Sequence, residues 1–337
     1  MSEFVSTAPT GEAHGRERLL FLDGWRGLAI LAVLLGHFVG TPGIQVGRFG
    51  VELFFVLSGR LMAGILFVER FPLPEFFQRR VARIWPALFV FILVSAVLFG
   101  ATGLLKVDLL HIVAALTFTI NYLGGSLLPI YDHIWSLCVE EWAYVLLGIL
   151  AFLTRRATWD VKWVIAGVAV ACMINGAIQT ALGGNYYQVY WRTDVRVASI
   201  LAGAAIYLHL RNTRVPAWLP LAAGALGFVL STNPVPDVIK YSLGAACLAV
   251  AVATLQWTPR LVRAVLEHPV LVRIGLWSFS LYLWQQPFYK LRGHFPTVAL
   301  LAAAVVFGLG SFYLVEQPAR RWINSMRKAR KLASGAA

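Results

Sequence analysis

The sequence has 337 residues, of which 59% are hydrophobic and only 13% are charged. Soluble domains carry about 25% charged residues, so this composition excludes an ordinary soluble protein and indicates an integral membrane protein. The formal net charge of +13 fits the basic cytoplasmic loops and anionic lipid contacts of a membrane protein. We therefore expect membrane lipid, and no nucleic acid, as a partner.

Apolar runs long enough to cross a bilayer recur along the chain and predict an all-α fold, a polytopic membrane helix bundle of about ten spans. The segment 107–123 is shorter, and we predict that it is re-entrant or interfacial. Making it a full span would invert every later loop. The predicted spans are 19–39, 49–68, 80–101, 134–154, 161–181, 194–210, 216–231, 239–257, 271–290 and 297–317.

The distribution of basic residues predicts the sidedness of this bundle. Most of the 29 Lys and Arg residues fall in segments that lie inside if the N-terminus is inside, whereas a few, such as Arg196, fall at outer loops and ends. The positive-inside rule then predicts an N-in, C-in topology. The chain divides into a polar cytoplasmic tail at 1–18 without a recognisable signal peptide, a membrane domain at 19–317 and a basic cytoplasmic tail at 318–337.

The first span carries three ionisable residues, Asp23, Arg26 and His37, that are costly at membrane depth and therefore indicate function. Arg26 and His37 are eleven residues apart. In a regular α-helix this spacing puts them within about 20° of one face and about 16 Å apart along the axis. With the N-terminus inside, Arg26 lies in the inner half of the membrane and His37 in the outer half.

The fourth predicted span opens with a polar stripe. Ser136, Glu140 and Tyr144 follow each other at i, i+4 and i+8 on an otherwise apolar helix, directly after Trp135. Because this span enters from outside, Glu140 is predicted at about the depth of His37. The two residues could form a base and its orienting carboxylate.

Three further arginines are candidate functional residues. Arg80 and Arg83 share a helix face where the third span begins, and adjacent guanidinium groups suit a phosphate-bearing ligand. Arg60 falls near mid-membrane, where it must meet a carboxylate or water, so we predict that it lines a cavity.

The motifs around these residues, in their order and spacing, resemble the acyltransferase-3 family of membrane acyltransferases. The resemblance implies a ten-span bundle that takes an acyl group from cytoplasmic acyl-CoA and passes it to an acceptor hydroxyl. It covers nearly the whole chain. The motifs are LDGWRGLAILAVLLGH (22–37), FGVELFFVLSG (49–59), RRVARIWP (79–86), WSLCVEEWAY (135–144), WSFSLYLWQQP (277–287) and YLVEQP (313–318).

The resemblance assigns roles to individual residues. It implies His37 and Glu140 as catalytic residues. The residues implied for donor binding are Arg26, Arg80, Arg83 and Glu316, and those for substrate binding are Trp135, Ser136, Tyr144 and Arg60.

Two positions depart from the family pattern, and one of the assigned residues has a simpler explanation. Arg60 stands where the family usually has an apolar or aromatic residue, and Gln285 stands where many members have a histidine. Glu316 could also simply pair with Arg320 at i+4.

The predicted function is therefore that of a membrane O-acyltransferase, with O-acetyl transfer favoured, in the cell's inner (plasma) membrane. The donor would be acetyl-CoA or another acyl-CoA, without a metal. The acceptor would be a hydroxyl of a glycan, a lipid-linked sugar or a secondary metabolite. The alternative is a proton-coupled exporter with the buried His, Glu and Arg as relay groups. The sequence lacks the inverted-repeat hydropathy that would support export.

Overall fold

The computed structural model describes residues 19–123, 130–155 and 160–333, and within these ranges the chain is helical and contains no strand. The predicted all-α fold class is thereby confirmed. The predicted tail at 1–18 lies outside the described residues, as does the end of the basic tail at 334–337.

A helix lies at each of the ten predicted spans, and several end in a π-helical turn. They are α1 (Leu20–Leu34, then a π-turn at Leu35–Val39), α2 (Val46–Ala63, π-turn Gly64–Val68), α3 (Leu73–Thr102), α5 (Ile134–Thr154), α6 (Val161–Ala181), α8 (Thr193–Leu210), α9 (Leu219–Leu230), α10 and α11 (Asp237–Ile239 and Ala245–Ala253, joined by a π-turn at Lys240–Gly244), α13 (Pro269–Lys290), and α14 and α15 (Thr297–Ser311 and Gln317–Ala333, joined by a π-turn at Phe312–Glu316). Shorter helices are α4 (Leu109–Leu116), α7 (Tyr186–Tyr190) and α12 (Arg260–Leu266).

Seven helices of the described chain are long and apolar enough to cross a membrane, so the protein is a multi-pass membrane protein. Of the other predicted spans, α9 has only 12 residues. Helix α13 has 22 residues, but it buries Ser278, Ser280, Gln285 and Gln286, which makes it more polar than a typical span. That polarity brings hydrogen-bonding groups into the interior of the bundle.

The segment 107–123 contains no membrane-spanning helix. Helix α4 has eight residues and a rise of about 12 Å, whereas a span needs about 30 Å. Asp108 caps its start by accepting a hydrogen bond from the backbone N–H of Leu110 at 3.0 Å. This short helix is what a re-entrant or interfacial segment requires.

Glycines fix how the central helices pack. Gly275 of α13 lies so close to the backbone of Asp23 and Gly27 in α1 that an added Cβ would clash, and Gly59 of α2 meets the backbone of Ile200 in α8 in the same way. Small residues permit such close helix contacts in membranes. These contacts set the register in which residues further along each helix meet.

The predicted sidedness can be tested with single cysteines in a background without Cys138, Cys172 and Cys247. Gln78 at the start of α3 and His294 in the loop after α13 are both exposed. With the N-terminus inside, we expect His294→Cys to react with an impermeant maleimide in intact cells. Gln78→Cys should react only after the membrane is opened, and the reverse labelling pattern would contradict the topology.

Candidate active site

Three arginines predicted to bind a donor line one cavity. Arg26 of α1 and Arg80 and Arg83 of α3 lie in the wall of a space of about 670 Å³, which we call the arginine cavity. Arg26 Nη1 lies 3.1 Å from Asp23 Oδ1, one turn earlier in α1. Three guanidinium groups around one space give a concentration of positive charge that suits a ligand with several phosphates.

The polar stripe of α5 lines the same cavity. Ser58 of α2 donates a hydrogen bond to Glu140 Oε1 at 2.5 Å, and the hydroxyl of Tyr144 donates to the same oxygen. The guanidinium of Arg80 lies 4.9 Å from the centre of the Tyr144 ring. Glu140 therefore links α2 and α5 in the wall of the arginine cavity.

Glu316 lies in the π-turn between α14 and α15 and is 1% exposed. Its Oε2 accepts a hydrogen bond from Ser280 at 2.8 Å, and its Oε1 lies 3.5 Å from Nη1 of Arg320. The ion pair between Glu316 and Arg320, at i and i+4, is therefore present. This pair is the simpler explanation that the sequence offers for Glu316. Arg83 is close enough to interact electrostatically with Glu316, so Glu316 borders the arginine cluster.

His37 occupies the π-turn that ends α1. Its Nδ1 lies 2.6 Å from Oε1 of Gln285, and its ring stacks on Tyr289 with centroids 4.3 Å apart. Because an amide oxygen can only accept, the contact with Gln285 keeps the proton on Nδ1 and leaves the lone pair on Nε2. Arg292 donates a hydrogen bond to the His37 carbonyl. The ring is thus held in one orientation and one tautomer.

The sequence predicted that Glu140 would orient His37, whereas the structure puts Gln285 at the ring. The reason lies in helix packing. Helices α1 and α13 touch at Gly27 and Gly275, and ten residues further along each helix stand His37 and Gln285. Glu140 instead makes its contacts in the arginine cavity. The angle between Arg26 and His37 around the helix axis was derived for a regular α-helix. It does not include the effect of the wider π-helical turn in which His37 lies.

His37 lines a second cavity, of about 1150 Å³, which we call the His37 cavity. Val51 and Tyr282 belong to the walls of both cavities. The Tyr282 hydroxyl donates to the carbonyl of His133 at 2.8 Å and lies 2.6 Å from Oγ of Ser136. Tyr282 is therefore the boundary between the arginines and the histidine.

The remaining predicted substrate residues, Trp135 and Arg60, lie apart from each other. Trp135 lines the His37 cavity and stacks on Trp191 with centroids 5.5 Å apart. Arg60 is 5% exposed, donates to the carbonyl of Val252 and lies 3.1 Å from Oε1 of Gln256. It lines a third cavity together with Arg26. Arg60 therefore lines a cavity, and its hydrogen-bond partners are a backbone carbonyl and a side-chain amide oxygen rather than a carboxylate.

Sequence reasoning noted Gln285 but missed its role at His37, and it missed the polar contacts of the neighbouring residues of α13. Gln286 donates a hydrogen bond to Asp132, and Lys290 Nζ lies 2.7 Å from Oδ2 of the same carboxylate. Two adjacent glutamines inside an apolar span, Gln285 and Gln286, were the available signal. In the described ranges, no cluster of three or more His, Cys, Asp or Glu residues could hold a metal ion.

Comparison with known proteins assigns the chain to a class. The chain belongs to the acyltransferase-3 family, because the family model described as an acyltransferase domain matches residues 19–318. No solved structure gives a significant match. The motifs that carry the resemblance all lie within the matched range.

The chain is also similar to named O-acetyltransferases. A Staphylococcus aureus (strain COL) protein with the provisional name of an O-acetyltransferase is 26% identical over 349 residues, covering 89% of this chain and 57% of that protein. The peptidoglycan O-acetyltransferase OatA of Listeria monocytogenes is 26% identical over 353 residues, covering 91% and 57%. The O-acetyltransferase OatA of Staphylococcus aureus (strain NCTC 8325) is 25% identical over 362 residues, covering 89% and 57%. The chain spans little more than half the length of these relatives.

Proposed function

We propose that the protein is a membrane O-acyltransferase that moves an acyl group, most simply acetyl, from acyl-CoA to a hydroxyl of a glycan or a lipid-linked sugar. The observation that supports this proposal is the pair of cavities that meet at Tyr282. One is lined by arginines and suits a polyphosphate donor. The other contains a histidine with a free nitrogen lone pair and suits an acceptor hydroxyl.

The donor would enter the arginine cavity. CoA carries a diphosphate and a 3′-phosphate, and guanidinium groups bind phosphate through paired hydrogen bonds. Arg80 and Arg83 would hold these phosphates, with Arg26 deeper in the same wall. Glu140, held by Ser58 and Tyr144, would keep the floor of the cavity in place under Arg80. Its role in this proposal is positioning.

The chemistry would occur at Nε2 of His37. This nitrogen takes the proton of the acceptor hydroxyl, and the resulting oxygen nucleophile attacks the thioester carbonyl. The carbon–sulfur bond breaks, the acyl group stays on the acceptor, and the imidazolium returns the proton to the CoA thiolate. Gln285 keeps Nδ1 protonated throughout. The thioester would pass between Val51 and Tyr282, which line both cavities.

The predicted N-in topology gives this arrangement a direction. The arginine cavity would open toward the cytoplasm, where acyl-CoA is made, and the His37 cavity toward the opposite face of the inner (plasma) membrane. The name of the Listeria relative assigns it peptidoglycan as acceptor, which lies on that outer face. Transfer of the acyl group across the membrane, rather than proton-coupled export, accounts for arginines and a histidine in two cavities that share the wall residues Val51 and Tyr282.

The function is tested by incubating the protein in liposomes with radiolabelled acetyl-CoA and short glycan acceptors. We expect label in the glycan that depends on protein and is released by mild base, as an O-acetyl ester is. A protein that neither transfers nor hydrolyses acetyl-CoA, but moves a solute with a proton gradient, would contradict acyl transfer and favour the exporter.

Donor binding makes a separate prediction. Arg80→Ala or Arg83→Ala removes a charge-assisted contact of about 1.5–3 kcal/mol, so we expect the Kd of acetyl-CoA to rise by about 10–150-fold. The matched control is Arg79→Ala. Arg79 is the neighbouring residue, is exposed and stacks on Phe71 at 4.4 Å outside the cavity.

The two arginines can also be assigned to particular phosphates. If one of them holds the 3′-phosphate, its alanine variant should bind dephospho-CoA as well as the unmodified protein does. If Arg79→Ala weakens CoA binding as much as Arg80→Ala and Arg83→Ala, the three residues act only through general positive charge.

A further inference from the structure

Arg48, near the start of α2, lies in the wall of the His37 cavity. Its guanidinium carbon stands 3.6 Å from the centre of the Tyr186 ring and 5.9 Å from that of Tyr187. A guanidinium stacked on one face of a ring keeps its N–H donors at its edge, where they can bind a planar or tetrahedral anion in a bidentate manner. Stacking on Tyr186 therefore holds the side chain ready for a ligand.

The charges around Arg48 leave it without a carboxylate partner among the described residues. Asp132, the acidic residue of the His37 cavity, is 2.7 Å from Lys290. A smaller neighbouring cavity, also lined by Arg48, contains Glu52, and Glu52 pairs with Arg196.

A third carboxylate, Asp237, interacts electrostatically with Arg48, and it pairs with Lys240 at 3.1 Å. Each of the three carboxylates is thus paired with another cation, and the wall of the His37 cavity retains one unmatched positive charge.

The aromatic side chains beside Arg48 indicate what else the ligand contains. Tyr186, Tyr187, Trp135 and Trp191 all line the cavity. Aromatic side chains with an apolar face and a polar edge suit ring-shaped ligands that have both apolar faces and hydroxyl groups. A sugar ring has this character, and its acylated hydroxyl would have to reach His37 in the same cavity.

We infer that the acceptor is an anionic glycan, whose carboxylate or phosphate is bound by Arg48 while a hydroxyl of the same molecule reaches His37. This inference rests on the proposed function and narrows its acceptor to an acidic class. Arg48 touches the acceptor away from the reacting atoms, so it determines specificity, and the transfer chemistry remains with His37.

The inference is tested first by binding without a donor, using three oligosaccharides of equal length. The first consists of neutral N-acetylglucosamine residues. The second contains N-acetylmuramic acid residues, which carry a carboxylate. The third ends in a sugar phosphate. We expect the protein to bind at least one acidic oligosaccharide about 10–150-fold more tightly than the neutral one, since a charge-assisted contact contributes about 1.5–3 kcal/mol. The arm that shows the gain identifies the anion as carboxylate or phosphate.

Arg48→Ala should remove this gain and leave the affinity for the neutral oligosaccharide and for acetyl-CoA unchanged. Unchanged acetyl-CoA binding shows that the variant is folded. The matched control is Arg192→Ala, which removes a cation next to Trp191 that already pairs with Asp194 at 2.7 Å and should have no effect on acceptor selectivity.

Two results would overturn the inference. One is equal affinity of the unmodified protein for acidic and neutral oligosaccharides. The other is an Arg48→Ala variant that keeps the preference for the acidic acceptor. Selective binding of an acidic oligosaccharide without any transfer from acetyl-CoA would support Arg48 as an anion site and contradict the proposed function, so the two failures are distinguishable.

Discussion

Replacing His37 by alanine is expected to lower the rate of acyl transfer by about 10²–10⁴-fold, the usual contribution of a general base. The change removes the imidazole whose tautomer is fixed by Gln285. Acetyl-CoA binding should stay near normal, because the arginines proposed to hold the donor line the other cavity. The measurement is initial-rate transfer of labelled acetyl to a glycan, with donor binding measured on the same preparation.

Two further variants separate chemistry from folding. His294→Ala is the matched control, since His294 is an exposed histidine in the loop after α13, and it should retain full activity. Gln285→Leu should lose part of the rate, because the ring of His37 loses the group that fixes its tautomer, while Gln285→Glu keeps an acceptor oxygen. A His37→Ala variant that retains more than about a tenth of the rate would remove His37 as the base.

The fold was largely predictable because hydropathy determines where helices lie. The first helical segment runs from Leu20 to Val39, against a predicted span of 19–39. Boundaries that depend on polar residues were harder to predict. Helix α3 begins at Leu73 instead of 80 because its first turns are amphipathic and follow Pro72. Hydropathy alone does not reveal such an extension.

The candidate site was predictable where it depends on periodicity within one helix. Arg80 and Arg83 share a cavity wall, and Glu140 and Tyr144 share a hydrogen bond, as their spacing indicates. Contacts between helices were not predictable, because they depend on the register that close glycine contacts impose. The partner of His37 is the clearest example, since Gln285 is 248 positions away.

A second contact between helices involves Arg196. The sequence analysis put this residue at an outer loop or helix end, and it lies in the first turn of α8 (Thr193–Leu210). The sequence did not predict that it is buried there and paired with Glu52 of α2, with side-chain exposures of 1% and 3%. The guanidinium also lies 3.7 Å from the centre of the Tyr241 ring. This ion pair could not be predicted from the sequence. Both residues stand among apolar residues, and nothing in the sequence identifies the partner of either one.

Breaking this pair is expected to be strongly destabilising. Glu52→Ala leaves a fully buried guanidinium without its carboxylate, and such a change costs about 3–5 kcal/mol of the free energy of unfolding. Arg196→Ala should cost a similar amount for the opposite reason, an uncompensated buried carboxylate. The measurement is equilibrium unfolding in mixed micelles at increasing SDS fraction, followed by tryptophan fluorescence.

The double variant Glu52→Leu/Arg196→Met distinguishes loss of a charge partner from loss of packing. Replacing a whole buried ion pair by apolar side chains of similar volume is often neutral or stabilising, so the double variant should unfold close to the unmodified protein. Glu267→Ala is the matched control. It breaks an ion pair with Arg263 in which the side chains are 33% and 44% exposed, and such pairs contribute about 0.2–1 kcal/mol. If Glu52→Ala costs no more than Glu267→Ala, water reaches the Glu52–Arg196 pair and the helices α2 and α8 do not enclose it as the structure indicates.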